Sequence, residues 1–257
     1  MSTTKLENLT FKHVAEMDVA RSIAIVPIGS MEQHGPHLPI GMDNAVAQAL
    51  TEAALKELDG KVGHVLLPVI PIGQSPEHMD YPGTISFSAE TFLSVLKDIC
   101  ASLAQSGFKK ILFVNGHGGN ISMLGAVSFD VRLEHDVHVF MFNVWSIMPP
   151  VAHEIINRQG SKTDLHGGEL ETSIVMHLDP KLVHMEWALD EENPKFSRGK
   201  LINLTGPVTM NWSSLHDIAP SGISGQASFG TPEKGEALVS YLTNVLSQTL
   251  EEIDINW

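Results

Sequence analysis

Four short apolar runs recur along the chain: SIAIVPIGS (22–30), HVLLPVIPIG (64–73), KKILFVNG (109–116) and VHVFMFNVW (137–145). Each is rich in β-branched residues, is bounded by turn formers and reads as a buried strand. The segments between them read as helices. One covers 43–60, with Asp43 or Asn44 placed to cap it and Gly60 to stop it. A second covers 88–107, opened by Ser88 and closed by Gly107, and a third covers 120–135. Strands that alternate with helices of similar length are the pattern of βαβ units around a mostly parallel sheet.

Further along, 166–180 reads as a loop that becomes a helix, with Pro180 after its end, and 232–253 as a long terminal helix with proline in its first turn. The stretch 190–230, rich in Gly, Ser, Pro and Asn, reads as irregular, and loops of that length are commonly functional or disordered. No internal repeat or domain boundary stands out, so a single domain over 1–257 is expected.

The composition narrows the function classes. Apolar residues make up 43% of the 257, enough for a sizeable core. The formal net charge is −14, from 30 acidic against 16 basic residues. Binding a phosphate backbone needs clustered Lys and Arg, so no nucleic-acid partner is expected. No run approaches the roughly 20 apolar residues of a membrane span, and the N-terminus lacks the pattern of a signal peptide. The single cysteine, Cys100, lies on an apolar helical face and reads as a buried structural thiol suited to a reducing cytoplasm.

In an open parallel sheet, ligands bind beyond the carboxyl ends of the strands. Polar clusters sit at those ends: MEQHGPHLPIGMD after the first strand, GQSPEHMDYPGT after the second, NGHGGN after the third, and HGGELETS at the start of a later helix. Glu32 and His34 are two apart, so in extended backbone they project to one side. Asp43 follows at the mouth of the next helix. Carboxylates and an imidazole together suit a divalent ion such as Zn²⁺ or Mn²⁺. His117 is flanked by glycines that leave room for a ligand. Glu169 and Glu171 point different ways on a helix, so one of them at most faces the site. Glu169 reads as a solvated first-turn acid favoured by the helix dipole, and Glu171 as the inward one.

These motifs, with VPIGSMEQHGPHLPIGMDNAVA, SPEHMDYPGTIS, ILFVNGHGGN and HGGELETS in that order, resemble the creatininase (creatinine amidohydrolase) family. SGISGQASFGTPEKG is a weaker echo. The resemblance implies a three-layer α/β/α sandwich, a two-metal centre and hydrolysis of an amide, usually in a small cyclic substrate. By position it implies Glu32, Asp43 and His117 as ligands of one ion, and His34, Asp43 as a bridge, and a later glutamate as ligands of the other. In creatininase that glutamate lies two residues past the histidine matching His117. Here the position is Gly119, and Glu171 in the ETS motif becomes the fifth ligand. His166 matches a catalytic histidine. The ions would be zinc, with manganese or iron as alternatives, and the family implies a homo-oligomer, a hexamer.

The chemistry expected from this set is attack on the amide carbon by a hydroxide that two ions share, with His166 as the acid that protonates the leaving nitrogen. His37, His78 and Trp145 are further pocket candidates. Two rival enzyme readings keep the metals: a deformylase of a formylamino-pyrimidine nucleotide, and a ring-opening hydrolase of a non-amide cyclic substrate. A third reading is metal binding without turnover.

Overall fold

A computed structural model describes residues 4–148, 154–155, 164–191, 202–203, 208–209, 214–217 and 219–257. Its centre is a four-stranded, wholly parallel sheet ordered β2-β1-β3-β4, from β1 (Ile23–Ile28), β2 (His64–Leu66), β3 (Lys110–Asn115) and β4 (His138–Asn143). Ile23 is level with both His64 and Lys110, and Ile28 with Asn115. Every side chain of β1 and β3 is buried, which is why these strands are continuous apolar runs rather than alternating ones.

The two faces of the sheet carry different helices. Ile23, Ile25, Leu112 and Val114 pack against α2 (Met42–Leu58), α6 (Glu169–Leu178) and α7 (Pro232–Asn256). Ala24, Val26, Ile28, Ile111 and Phe113 pack against α3 (Ala89–Gln105) and α4 (Ile121–Glu134). The result is the expected three-layer α/β/α sandwich. Short α1 (Phe11–Glu16) precedes the sheet, and α5 (Val144–Ile147) follows β4. Cys100 is fully buried on α3, and burial pushes its thiol up to about 12. No helix among the described residues is long and apolar enough to cross a membrane.

Several boundaries differ from the sequence reading. The second strand stops at Leu66, since Pro68 and Pro71 have no N–H for a ladder. Ile70 rejoins the sheet only through a single bridge to Ile28. The fourth strand ends at Asn143, and Trp145 lies in the one-turn α5 instead. Neither Asp43 nor Asn44 caps α2. The cap position is Gly41, which makes no side-chain bond, and both residues lie inside the first turn. The Asn44 amide donates to the carbonyls of Ser30 and Pro71, pinning the helix start across the strand ends. The side chain of Asp43 is thereby left for another use.

In the 190–230 stretch, Asp190–Glu191 pairs antiparallel with Gly225–Gln226. Residues 192–201, 204–207, 210–213 and 218 of that stretch lie outside the described residues.

Candidate metal centre

Three polar side chains are delivered by elements of the sheet. Glu32 follows β1, His117 follows β3, and Asp43 comes down from the first turn of α2. The approach is close: a Cβ at Gly116 would lie 2.4 Å from the Asp43 carbonyl oxygen, so only glycine lets the helix start rest on the end of β3. His117 Nδ1 stands 3.0 Å from Glu32 Oε2 and 3.2 Å from Asp43 Oδ2. His34 Nε2 stands 3.3 Å from Asp43 Oδ1 and 3.8 Å from Glu32 Oε1. All four residues are buried.

Hydrogen bonds fix what these nitrogens can offer. His34 Nδ1 is 3.1 Å from the Glu32 carbonyl, which can only accept, so Nδ1–H donates there. In the neutral ring, Nε2 then presents a lone pair to Asp43. His117 Nε2–H likewise donates to the Gln74 carbonyl at 3.1 Å, with the Ser75 hydroxyl 3.2 Å away, so Nδ1 is the free nitrogen. Glu32 Oε2 and Asp43 Oδ2 are sealed from solvent and accept no hydrogen bond of good geometry. Acceptor atoms therefore face acceptor atoms in a dry space. Only protons or a cation between them relieves that arrangement.

Without metal, protons take the role. Burial opposes charge on His34, but Asp43, Glu171 and Glu32 outweigh it and lift the imidazole to about 9. Burial likewise opposes charge on His117, yet Glu32 and Asp43 drive that ring well above its ordinary value. Glu32 mirrors this: burial works against the carboxylate, and His117, His78 and His34 together hold it well below the usual range. The donor set of mixed carboxylate oxygen and imidazole nitrogen fits a divalent cation. Two groups of potential ligand atoms lie within 4.8 Å of one another, Glu32–Asp43–His117 and Glu32–His34–His166.

The other side of the site comes from the segment before α6. His166 and Ser224 form an antiparallel bridge, with Leu165 N–H donating to the Ser224 carbonyl at 2.8 Å and Ser224 N–H to the His166 carbonyl at 2.7 Å. The His166 ring stacks on His34 with centroids 4.4 Å apart and lies 4.5 Å from the ring of His78. Its Nε2–H donates to the Gln33 carbonyl at 2.6 Å. Burial, then His34 and His78, push its pKa well below the ordinary value. Glu171 is buried, its Oε2 accepts the Gly167 N–H at 2.5 Å, and burial raises it to about 8. It lines the same cavity, though neither of the two close groups includes it.

The remaining sequence candidates separate clearly. His78 is buried with Nε2 3.5 Å from Glu32 Oε1, and the Gln33 side-chain amide sits 3.0 Å from its Nδ1. Burial lowers it to about 4. Trp145 is a wall of the cavity, its indole N–H donating to the Gly116 carbonyl at 2.5 Å. His37 does not line the cavity; its Nε2 meets the Thr172 hydroxyl at 2.8 Å and ties the first loop to α6. Glu169 is not the solvated acid expected. It is buried and paired with Lys234 Nζ of α7 at 2.5 Å, because α7 packs along α6 and covers this face.

Gly119 has a steric reason. A Cβ there would lie 2.4 Å from His117 Nε2 and 2.6 Å from the Gln74 carbonyl, so a glutamate cannot occupy the position while His117 holds its hydrogen bond. The whole cavity measures about 380 Å³. Of the polar residues that line it, sequence reasoning missed three: Glu77, Asp164 and Ser224. Each lies in or beside a motif, Glu77 next to His78, Asp164 just before HGGELETS and Ser224 within SGISGQASFGTPEKG. No Lys or Arg among the described residues lines the cavity.

The family model described as creatinine amidohydrolase matches residues 7–250. A mycofactocin precursor peptide peptidase of Mycobacterium tuberculosis is 31% identical over 231 residues, covering 86% of this chain and 81% of its own. A 3-dehydro-scyllo-inosose hydrolase of Thermotoga maritima is 27% identical over 269 residues, covering 95% and 83%. Solved structures of creatininase in a manganese form, and of a creatininase mutant in a zinc–zinc form, each superpose with a TM-score of 0.79 at 20% identity over 98% of both chains. Matched by the family model along nearly its whole length, and folded as the solved creatininases are, this chain belongs to the creatininase family of hydrolases.

Proposed function

We propose that the protein is a metal-dependent amidohydrolase that cleaves the C–N bond of a small cyclic amide with water, giving a carboxylic acid and an amine. The observation that carries this is the pair of sealed, unbonded carboxylate oxygens, Glu32 Oε2 and Asp43 Oδ2, facing imidazole nitrogens at the floor of an open cavity. In this reading Glu32, Asp43 and His117 hold one divalent ion, and His34, Asp43 and Glu171 hold a second. Zinc is the first choice, with manganese or iron as alternatives. Divalent ions in such a set supply Lewis acidity and a water that ionises near neutral pH.

The protein's own groups do the rest. Ile40 and Gln74 carbonyls, Ser75 and the Glu32 backbone hold the ligands in one orientation. Trp145, Met148, Leu165 and Leu215 form walls that exclude bulk water from the bound amide. His166, kept neutral by burial and then by the neighbouring His34 and His78, takes up a proton during attack. As a crowded imidazolium it is a strong acid and hands that proton to the leaving nitrogen. The proposal has the enzyme work in the cytoplasm as a homo-oligomer, a hexamer by family resemblance.

Among the described residues no Lys or Arg lines the cavity, which speaks against a phosphorylated substrate such as a formylamino-pyrimidine nucleotide. Ring opening of a non-amide cyclic substrate is the second reading, supported by the Thermotoga relative. The test counts metals per chain, then assays zinc- and manganese-loaded protein on creatinine, hydantoin, glutarimide, short peptides and a polyhydroxylated cyclic ketone. Two ions with turnover of at least one amide is the expected result. Two ions with turnover only of cyclic ketones would transfer the conclusion to the second reading.

A further inference from the structure

The Ser224 side chain is fully buried, and among the described residues its hydroxyl has no hydrogen-bond partner. A buried hydroxyl left unpaired destabilises the fold, so in most places such a residue turns toward a carbonyl or is replaced. Ser224 has neither option for its backbone. Its N–H is spent on the His166 carbonyl, and its carbonyl receives the N–H groups of both Leu165 and His166. Its hydroxyl is the one polar group of the residue that the backbone bridge does not hold, and Ser224 is among the residues that line the cavity. The ladder also fixes this hydroxyl beside His166, whose Nε2–H is committed to Gln33.

We propose that the Ser224 hydroxyl is a substrate-binding group, which hydrogen-bonds the N–H or C=O of the reacting amide next to His166. This rests on the amidohydrolase reading for the identity of the ligand. A hydroxyl suits an amide because it both donates and accepts, and the apolar lining residues Leu165, Leu215 and Met148 carry no side-chain hydrogen-bond donor. A rigid hydroxyl held by a two-sided backbone ladder would favour substrates with a free polar edge over N-alkylated analogues of equal size.

The experiment compares Ser224→Ala and Ser224→Thr with the parent enzyme, all zinc-loaded, on creatinine, hydantoin and glutarimide. Expected for Ser224→Ala are unchanged metal content, a melting temperature equal to or above the parent's, and a loss in kcat/KM of about tenfold, carried mainly by KM. Ser224→Thr keeps the hydroxyl and recovers part of the loss. A kcat/KM for Ser224→Ala within twofold of the parent overturns the proposal, as does a lower melting temperature, which would reveal a structural bond. If the parent turns over none of the three amides, the amidohydrolase reading falls by itself. A crystal structure of the zinc-loaded protein soaked in hydantoin then decides Ser224: a hydroxyl bonded to hydantoin supports the role, and one bonded to protein or to buried water alone ends it.

Discussion

Glu32 and Glu171 line one cavity and are both buried, yet their surroundings push them in opposite directions. Glu32 is faced by three imidazoles and held well below the carboxylate range, while Glu171 meets mainly desolvation and rises to about 8. The difference follows from what delivers each. Glu32, Asp43 and His117 are fixed by strands β1 and β3 and a helix start, so opposite charges are assembled by the sheet itself. Glu171 comes from a separate helix preceded by a loop that carries His166, which is bridged to Ser224. Both halves hold protons that a cation must displace, but in the first they sit on the His117 imidazole beside ionised Glu32, and in the second a carboxyl group, Glu171, itself holds one.

The largest expected effect comes from breaking the first half. Asp43→Ala removes the carboxylate that faces both His34 and His117. Metal content should drop toward zero, and activity should fall by at least roughly 10³-fold. An Asp43→Ala enzyme that keeps two ions would erase the distinction between the halves.

His166→Ala tests the second half without touching the first. Activity should fall by about 10²–10⁴-fold while the metals counted per chain stay as in the parent. Loss of an ion instead would make His166 a ligand, as its closeness to Glu32 and His34 also allows.

Lys234→Met strips the cation from buried Glu169. Stability in urea should drop by about 3 kcal/mol, the low end for a buried pair because the Lys234 side chain is 21% exposed. The Glu171 half should loosen with it, so that one ion is lost before the other in a chelator titration. Simultaneous loss would show that the two halves behave as one unit.

The smallest effect, and the most diagnostic, is in pH. Glu171 at about 8 is raised above its ordinary 4.5, so the metal-free fold favours its protonated form and loses stability as pH climbs from 4.5 through 8. His34 at about 9 is raised above 6.5, and the stability it contributes is present below 6.5 and lost as pH rises through 9. Both terms have the same sign, so the metal-free protein should melt at progressively lower temperature between pH 6.5 and 9. His37 and His78, depressed to about 4, withdraw stability on the acid side as pH falls below 6.5. Loaded protein, with those protons displaced, should show a flatter alkaline limb. Thermal scans across that range with and without zinc decide it, and parallel curves would contradict the assignment of Glu171 and His34 to the ion.

Much of this was legible in the chain. β1 and β3 announced themselves because burial on both faces demands an unbroken apolar run. The glycines around His117 read as room for a ligand, whereas Gly116 and Gly119 are required by the Asp43 and Gln74 carbonyls that press on them. What escaped notice was set by contacts distant in sequence. Glu169 looked solvated because nothing near it foretold that Lys234, on the terminal helix, would cover it. Asp43 was read as a helix cap as well as a ligand, since the same residue type serves both ends. The second strand was overextended because the prolines at 68 and 71 follow an apolar pattern while lacking the donors a ladder needs. Ser224 lies in the weaker echo SGISGQASFGTPEKG, but nothing there singled it out: a serine in a glycine-rich loop acquires meaning only when the backbone bridge to His166 is known.

The ion pair between Glu169 and Lys234 also ties the cavity to a helix that contributes nothing to its lining. Lys234 stands on α7, and Glu169 sits two residues before Glu171 on α6. Because α7 packs along α6, a change on α7 well away from the cavity is transmitted to the helix that carries Glu171. The terminal helix is therefore a remote handle on the position of that carboxylate.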